Sequence, residues 1–466
     1  MGNNMFTSTE YIARRNQLKN KFKKGIIIFL GNDESPMNFA ANYYHYRQDS
    51  TFLYYWGLNS ANLAAVIDLD NDEETIFGDE RGVDDIVWMG TEESLVNRAE
   101  SVGVKKTKPF SKLYKTISKA IGKGEKIHFL PQYRQTNIIL LEELLGINHS
   151  QINTYASSKL IKNVIKQRSI KNDVEIAEIE KALDISHEMY TTAMKMIEPR
   201  MVERQLYGTI EGIALSKGSG VSFPIIFSVN GEILHNHSHE NEMKDGQIAL
   251  LDSGVETTTN YASDITRVIP VNGKFTEKQK NIYNIVLDSQ LKAIEMMKPG
   301  IKFKEVHLEA AKIISSGLKE LDLMKGDVNE AVDKGAHALF FPHGLGHMMG
   351  LDVHDMENLG ENYVGYNKTT KRSDQFGLAY LRLGKELQTG NVVTVEPGIY
   401  FIPALIDQWK DENKLSEFIN YDKVEEYRTF GGIRIEDDVL VTEDGNRILG
   451  KPIPKTIEEV EEACSL

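Results

Sequence analysis

Four strand-length apolar runs in this chain carry a carboxylate, and that pattern constrains the fold more than any other feature. Ile248-Ala-Leu-Leu-Asp252-Ser-Gly and Val392-Val-Thr-Val-Glu396-Pro-Gly read as buried strands that close on an acid. Tyr261-Ala-Ser-Asp264-Ile-Thr-Arg-Val-Ile-Pro supplies a second aspartate soon after the first. Gly432-Ile-Arg434-Ile-Glu436-Asp alternates apolar and charged residues, so Arg434 and Glu436 leave the same face of a strand. Apolar runs of this kind need burial, whereas Asp and Glu are almost never fully buried without a partner. Taken singly, each acid could end its strand at the surface. If the four converge, their repulsion raises their pKa values and opposes folding unless cations are bound.

Between them lies Phe341-Pro-His343-Gly-Leu-Gly-His347-Met-Met-Gly-Leu-Asp-Val-His354, three of the chain's 12 histidines set among glycines. Neutral imidazole binds metals or relays protons, and glycine lets backbone approach a ligand closely. Carboxylates joined by one imidazole suit Mn²⁺, Co²⁺ or Zn²⁺. Five ligands with two bridging carboxylates suit two ions roughly 3.5 to 4 Å apart that share and activate a hydroxide nucleophile. The residues alone reach a dinuclear metal hydrolase and go no further. His237 and His239 alternate with polar residues and read as a solvated loop. Met348-Met349 reads as core packing.

At 466 residues the chain has room for two or three domains. A net charge of -14 argues against a general nucleic-acid binder, because phosphate neutralisation needs clustered Lys and Arg. The single cysteine, Cys464, allows no internal disulfide and favours a reducing compartment. No apolar run approaches the roughly 18 to 20 residues of a membrane span, and Met1 to Ser8 lacks the pattern of a signal peptide. These features predict a cytoplasmic protein with no membrane partner.

The first third predicts an α/β unit with a mainly parallel sheet: a basic amphipathic helix from Glu10 to Phe22, strands at 25–31, 64–70, 74–77 and 126–130, and helices near 111–121 and 137–145. The basic stretch Ser157 to Lys171 lacks a long periodic pattern and places a domain boundary near 165–172. A helix follows, capped by Asn172 with Glu175 reaching back, and another starts at Thr276 with Gln279 in the same relation. Asp407 to Tyr427 reads as a charged helical insertion on the surface.

With these motifs in hand, the chain resembles the pita-bread metallopeptidases, and within them the proline-specific branch that holds aminopeptidase P and prolidase. The resemblance rests on Asp252-Ser-Gly, Asp264-Ile-Thr-Arg, His343-Gly-Leu-Gly-His347, Leu351-Asp-Val-His354-Asp, Thr394-Val-Glu396-Pro-Gly and Ile433-Arg-Ile-Glu436-Asp-Asp, with Tyr44-His-Tyr-Arg-Gln-Asp-Ser50 and Phe52-Leu-Tyr-Tyr-Trp56 in the first domain. It implies a mixed α/β (α+β) architecture: an N-terminal α/β domain over residues 1–168 and a catalytic pita-bread (creatinase/aminopeptidase-like) domain over 169–466. It implies two divalent ions, foremost Mn²⁺, with Asp252 on one, Asp264 and Glu436 bridging both, and His347 and Glu396 completing the second site. Glu396 is then also the general base, His235 binds substrate, and His343 and His354 line the pocket and stabilise the tetrahedral intermediate. Arg434 orients Asp252, and Arg382 matches an arginine that in prolidase grips a dipeptide's free carboxylate. The chain departs from the family at Asn236, where tyrosine is usual, and in a slightly longer gap between the first two aspartates. The resemblance implies an Xaa-Pro aminopeptidase acting on proline-containing peptides as a homodimer or homotetramer. The alternatives are an Xaa-Pro dipeptidase and, more remotely, a metal-free binding module.

Overall fold

The computed structural model describes residues 6–465; the first five residues, which enter the reading of the N-terminus, lie outside them. The chain divides into two compact units. One holds the chain up to Arg168 together with Met356–Tyr363, and the other holds Ser169–Asp355 and the chain from Val364 onward. The segment Met356–Tyr363, which the sequence leaves with the second domain, therefore groups with the first.

The first unit is built on a five-stranded sheet in the order Lys106–Lys108, Glu73–Phe77, Ala64–Asp68, Ile26–Leu30, Ile127–His128. Its two inner pairings are antiparallel and its two outer ones parallel. The expected mainly parallel sheet is thus corrected to a mixed one. The tight turn between Asp68 and Glu73 forces neighbouring strands to run in opposite directions, since only a long crossover can make them parallel. Ile26, Ile28 and Leu30 face a core closed by Leu113, Ile117, Leu141 and Leu144 of two helices. Phe29 points the other way, onto Tyr55 and Trp56, with ring centroids 5.1 and 5.9 Å away.

Two helical expectations change here. The first helix, Ser8–Lys19, is less an exposed basic face than a clamp: Arg14 and Arg15 are buried, and Arg15 donates to the carbonyls of Tyr55 and Val102 and pairs with Glu74. The basic stretch before the boundary is a helix, Ser158–Arg168, whose Leu160, Ile161, Val164 and Ile165 are buried. Its period is helical but spans only three turns, so the surrounding lysines hide it.

The second unit has two long helix pairs, Asp173–Met196 with Glu203–Lys217 and Glu277–Met296 with Phe303–Glu320. Asn172 and Thr276 cap their first members, with Glu175 and Gln279 closing both capping boxes as expected. Small antiparallel sheets pack against these helices: Ile265–Pro270, Ile248–Ser253 and Ile226–Val229 form one, Val392–Val395, Asp437–Val441 and Asn446–Ile448 another, and Gly398–Tyr400 pairs with Gly432–Arg434. A bridge between Thr266 and Glu436 stitches the first sheet to the last strands. The 407–427 region is helical, as Pro403–Asp411 and Tyr421–Glu425, but Trp409, Phe418, Ile419 and Val424 are buried, so it is packed into the unit more than laid on its surface. No helix among the described residues is long and apolar enough to cross a membrane.

Candidate metal centre

The acids of the apolar runs end at one place because the sheets do. Asp252 is the penultimate residue of its strand, Asp264 directly precedes the strand paired with it, Glu396 directly follows Val392–Val395, and Glu436 sits in the break between Gly432–Arg434 and Asp437–Val441. His347 lies in irregular backbone pinned to the same strand: Thr394 N–H donates to the His347 carbonyl at 3.0 Å, and His347 N–H donates to Thr394 Oγ1 at 3.1 Å. That contact explains the glycine-rich spacing, since a Cβ at Gly346 would lie 2.0 Å from the Thr394 carbonyl oxygen.

All ten residues singled out from the sequence line one cavity of about 660 Å³: His235, Asp252, Asp264, His343, His347, His354, Arg382, Glu396, Arg434 and Glu436. Asp264, His347 and Glu436 each offer a ligand atom within 4.8 Å of the others. His347 Nε2 stands 3.4 Å from Asp264 Oδ2 and 3.6 Å from Glu396 Oε1. Asp252 is held from behind: Arg434 Nη2 donates to its Oδ2 at 2.6 Å, and the same guanidinium donates to Tyr400 Oη at 2.6 Å and Thr266 Oγ1 at 3.1 Å. Thr266 Oγ1 in turn donates to Glu436 Oε2 at 2.6 Å. One arginine thereby ties the supports of two acids together.

Burial raises the pKa of Asp264 well above the carboxylate range, with repulsion from Asp252 second, and does the same to Glu436, with Asp264 next. Burial pushes Glu396 up to about 7. The sequence assigns these shifts to mutual repulsion; desolvation comes first because the strand ends lie inside the unit. Tyr400 Oη, already accepting from Arg434, can donate to His343 Nε2 at 2.9 Å, and His343 Nδ1 can then donate to the Gly344 carbonyl at 2.8 Å. Burial keeps that imidazole neutral, with its pKa lowered to about 3.

Asp252 Oδ1 and Asp264 Oδ1 are buried and accept no hydrogen bond. An unfilled acceptor of this kind is costly, and two of them beside a third buried acid and an imidazole nitrogen form a donor set that fits hard or borderline divalent cations. The sequence reading missed part of the cavity wall. His237, exposed in a loop as the sequence reading has it, also lines it, as do Phe223, Leu234, Phe376, Tyr380 and Leu405. These residues lie in loops and short helices with no spacing signal.

The family model described as "Metallopeptidase family M24" matches residues 177–443, a span that holds all ten site residues. The chain belongs to metallopeptidase family M24. The model for the aminopeptidase P N-terminal domain matches residues 11–128, so this M24 chain carries the two-part architecture its motifs imply, an α/β first domain and a pita-bread second one. Among relatives, it is 32% identical to the Xaa-Pro aminopeptidase of Escherichia coli over 97% of this chain and 96% of that one. It is 31% identical to the Xaa-Pro dipeptidase of Homo sapiens over 94% and 88%. A solved structure of E. coli aminopeptidase P in complex with substrate, a Glu-to-Ala variant, matches with a TM-score of 0.81 at 30% identity, covering 99% of this chain and 98% of that one. The Zn-substituted E. coli enzyme in complex with product matches equally well, at 0.81 and 29% identity. As an M24 metallopeptidase, the chain uses divalent metal.

Proposed function

We propose that this M24 chain is an Xaa-Pro aminopeptidase, an exopeptidase that hydrolyses the bond between an N-terminal residue and a following proline, and that residues 169–466 form its catalytic domain and 1–168 its N-terminal domain. The observation that carries this reading is the meeting of Asp264, His347 and Glu436 in one buried cluster, with Asp252 and Glu396 on the same cavity wall. These five residues are assigned as the ligands of two divalent ions, Mn²⁺ first, with Co²⁺ or Zn²⁺ able to replace it. When bound, the ions supply Lewis acidity toward the scissile carbonyl and the attacking water.

The remaining steps belong to the chain's own side chains. Glu396 accepts a proton from the attacking water and later gives it to the departing proline nitrogen. His354 stabilises the negative charge that develops on the carbonyl oxygen, His343 lines the pocket beside it, and His235, at the more open edge of the cavity, binds substrate. Arg434 aims Asp252 through its 2.6 Å bond. The apolar wall of Phe223, Leu234, Phe376 and Leu405 suits the proline ring and the residue before it. The protein is assigned to the cytoplasm as a homodimer or homotetramer.

One observation favours a second reading. Arg382 lines the cavity, where a guanidinium could clamp the free carboxylate of a dipeptide and so restrict the enzyme to Xaa-Pro dipeptides. Incubating the Mn²⁺-loaded protein with Gly-Pro and with Gly-Pro-Xaa tripeptides separates the two. The aminopeptidase reading expects efficient release of glycine from the tripeptide; cleavage of the dipeptide alone refutes it in favour of a dipeptidase, and cleavage of neither refutes both.

A further inference from the structure

The rings of His347 and His354 meet edge to face with centroids 4.2 Å apart, yet the two residues flank opposite ends of one short loop. The loop leaves the bridge between Met348 and Val393, turns where Gly350 N–H donates to the Asp352 carbonyl at 3.1 Å, and closes where Asp355 N–H donates to the Met348 carbonyl at 2.9 Å. Its closing residue carries a buried ion pair. Lys171 Nζ donates to Asp355 Oδ2 at 2.8 Å, and each side chain is 1% exposed. Asp355 Oδ1 accepts from Asp352 N–H at 3.4 Å, inside the same loop.

Lys171 is itself fixed to the sheet, since its N–H donates to the Gly390 carbonyl at 2.8 Å and Gly390 N–H donates to that of Val441 at 2.9 Å. The pair also lies hard against the loop backbone. A Cβ at Gly350 would stand 2.8 Å from Asp355 Oδ2 and 2.9 Å from Lys171 Cε, so glycine is the residue that fits. The Gly350 carbonyl accepts from Ala262 N–H at 2.8 Å, two residues before Asp264. Neither Lys171 nor Asp355 lines the cavity.

A buried ion pair is weak evidence for stability, because taking both charges out of water offsets most of their attraction; what it supplies is a single geometry. The geometry fixed here is that of the residue next door. We infer that Lys171 and Asp355 are positioning residues that hold the 348–355 loop closed and thereby set His354 against His347, facing the reacting carbonyl. This rests on the catalytic role proposed for His354. A displaced imidazole binds substrate almost as before but stabilises the transition state less, so the effect falls on kcat more than on KM.

The test measures kcat and KM of the Mn²⁺-loaded full chain on a Gly-Pro-Xaa peptide for Lys171→Met, Lys171→Arg, His354→Ala and the Lys171→Met/His354→Ala combination, with thermal unfolding as the check on folding. The inference expects Lys171→Met to lower kcat about 10- to 100-fold with little change in KM. Lys171→Arg should recover most of the loss. In the His354→Ala background Lys171→Met should cost almost nothing further, because the residue it positions is gone. If the two losses multiply while His354→Ala alone is impaired, the inference is overturned and the role of His354 stands. If His354→Ala leaves kcat unchanged, that role falls and takes the inference with it. Should Lys171→Met fail to fold, Lys171→Met/Asp355→Leu removes both charges at similar volume and carries the same comparison.

Discussion

Glu396 offers the sharpest test of the claim that these acids are tolerated only because a cation is expected among them. Burial raises its pKa from 4.5 to about 7 in the folded, metal-free protein. A carboxyl whose folded pKa lies above its unfolded one destabilises the fold once the unfolded chain ionises: the penalty is absent below about 4.5, grows as pH rises, and is complete above about 7. Between pH 5 and pH 8 that difference amounts to about 2 to 3 kcal/mol, since a pH unit of separation is worth a little over 1 kcal/mol and part of the penalty is already present at pH 5. Glu396→Gln removes the titration. In metal-free protein its stability relative to wild type should therefore climb by about 2 to 3 kcal/mol from pH 5 to pH 8, or about 5 °C in Tm for a unit of this size. Taking the difference cancels the buried histidines, which titrate in both proteins. The assay is thermal unfolding after chelation, followed by the same scan with Mn²⁺ restored, where the sign should reverse because the variant has lost a ligand. A difference that stays flat with pH, or that falls as pH rises, refutes the account of a buried acid held ready for a cation.

Two further outcomes follow from the same geometry. Arg434→Met leaves Asp252 buried without its 2.6 Å partner and should lower stability by about 3 to 5 kcal/mol in the metal-free protein, read by chemical denaturation, with weaker Mn²⁺ binding by calorimetry. Gly346→Ala puts a Cβ 2.0 Å from the Thr394 carbonyl oxygen and should displace His347, abolishing metal binding while the N-terminal unit keeps its secondary structure by circular dichroism.

The legible part of this protein was whatever local chemistry repeats. Capping boxes at Asn172 and Thr276 announce their helices because the cap and its reciprocal acid or amide lie three residues apart. Asp252, Asp264, Glu396 and Glu436 announce themselves because charge at the end of an apolar run contradicts its surroundings, and motif spacing carries that contradiction to a family. The mixed direction of the first sheet and the helix Ser158–Arg168 were harder to see, since strand order is set by pairing between distant segments and a three-turn helix shows its period only through what buries it. The apolar wall of the cavity, Phe223, Leu234, Phe376 and Leu405, had no local signal at all.

By itself, then, the order of residues determined which side chains are chemically out of place and what kind of ion or ligand would make sense of them. Only the tertiary structure decided that Arg434 spans Asp252, Tyr400 and Thr266 at once, that Glu396 stands 3.6 Å from His347, and that a lysine at position 171 reaches Asp355. Contacts between residues 34 to 184 positions apart are fixed by how helices and sheets pack around a common core. No local rule of propensity or spacing encodes them.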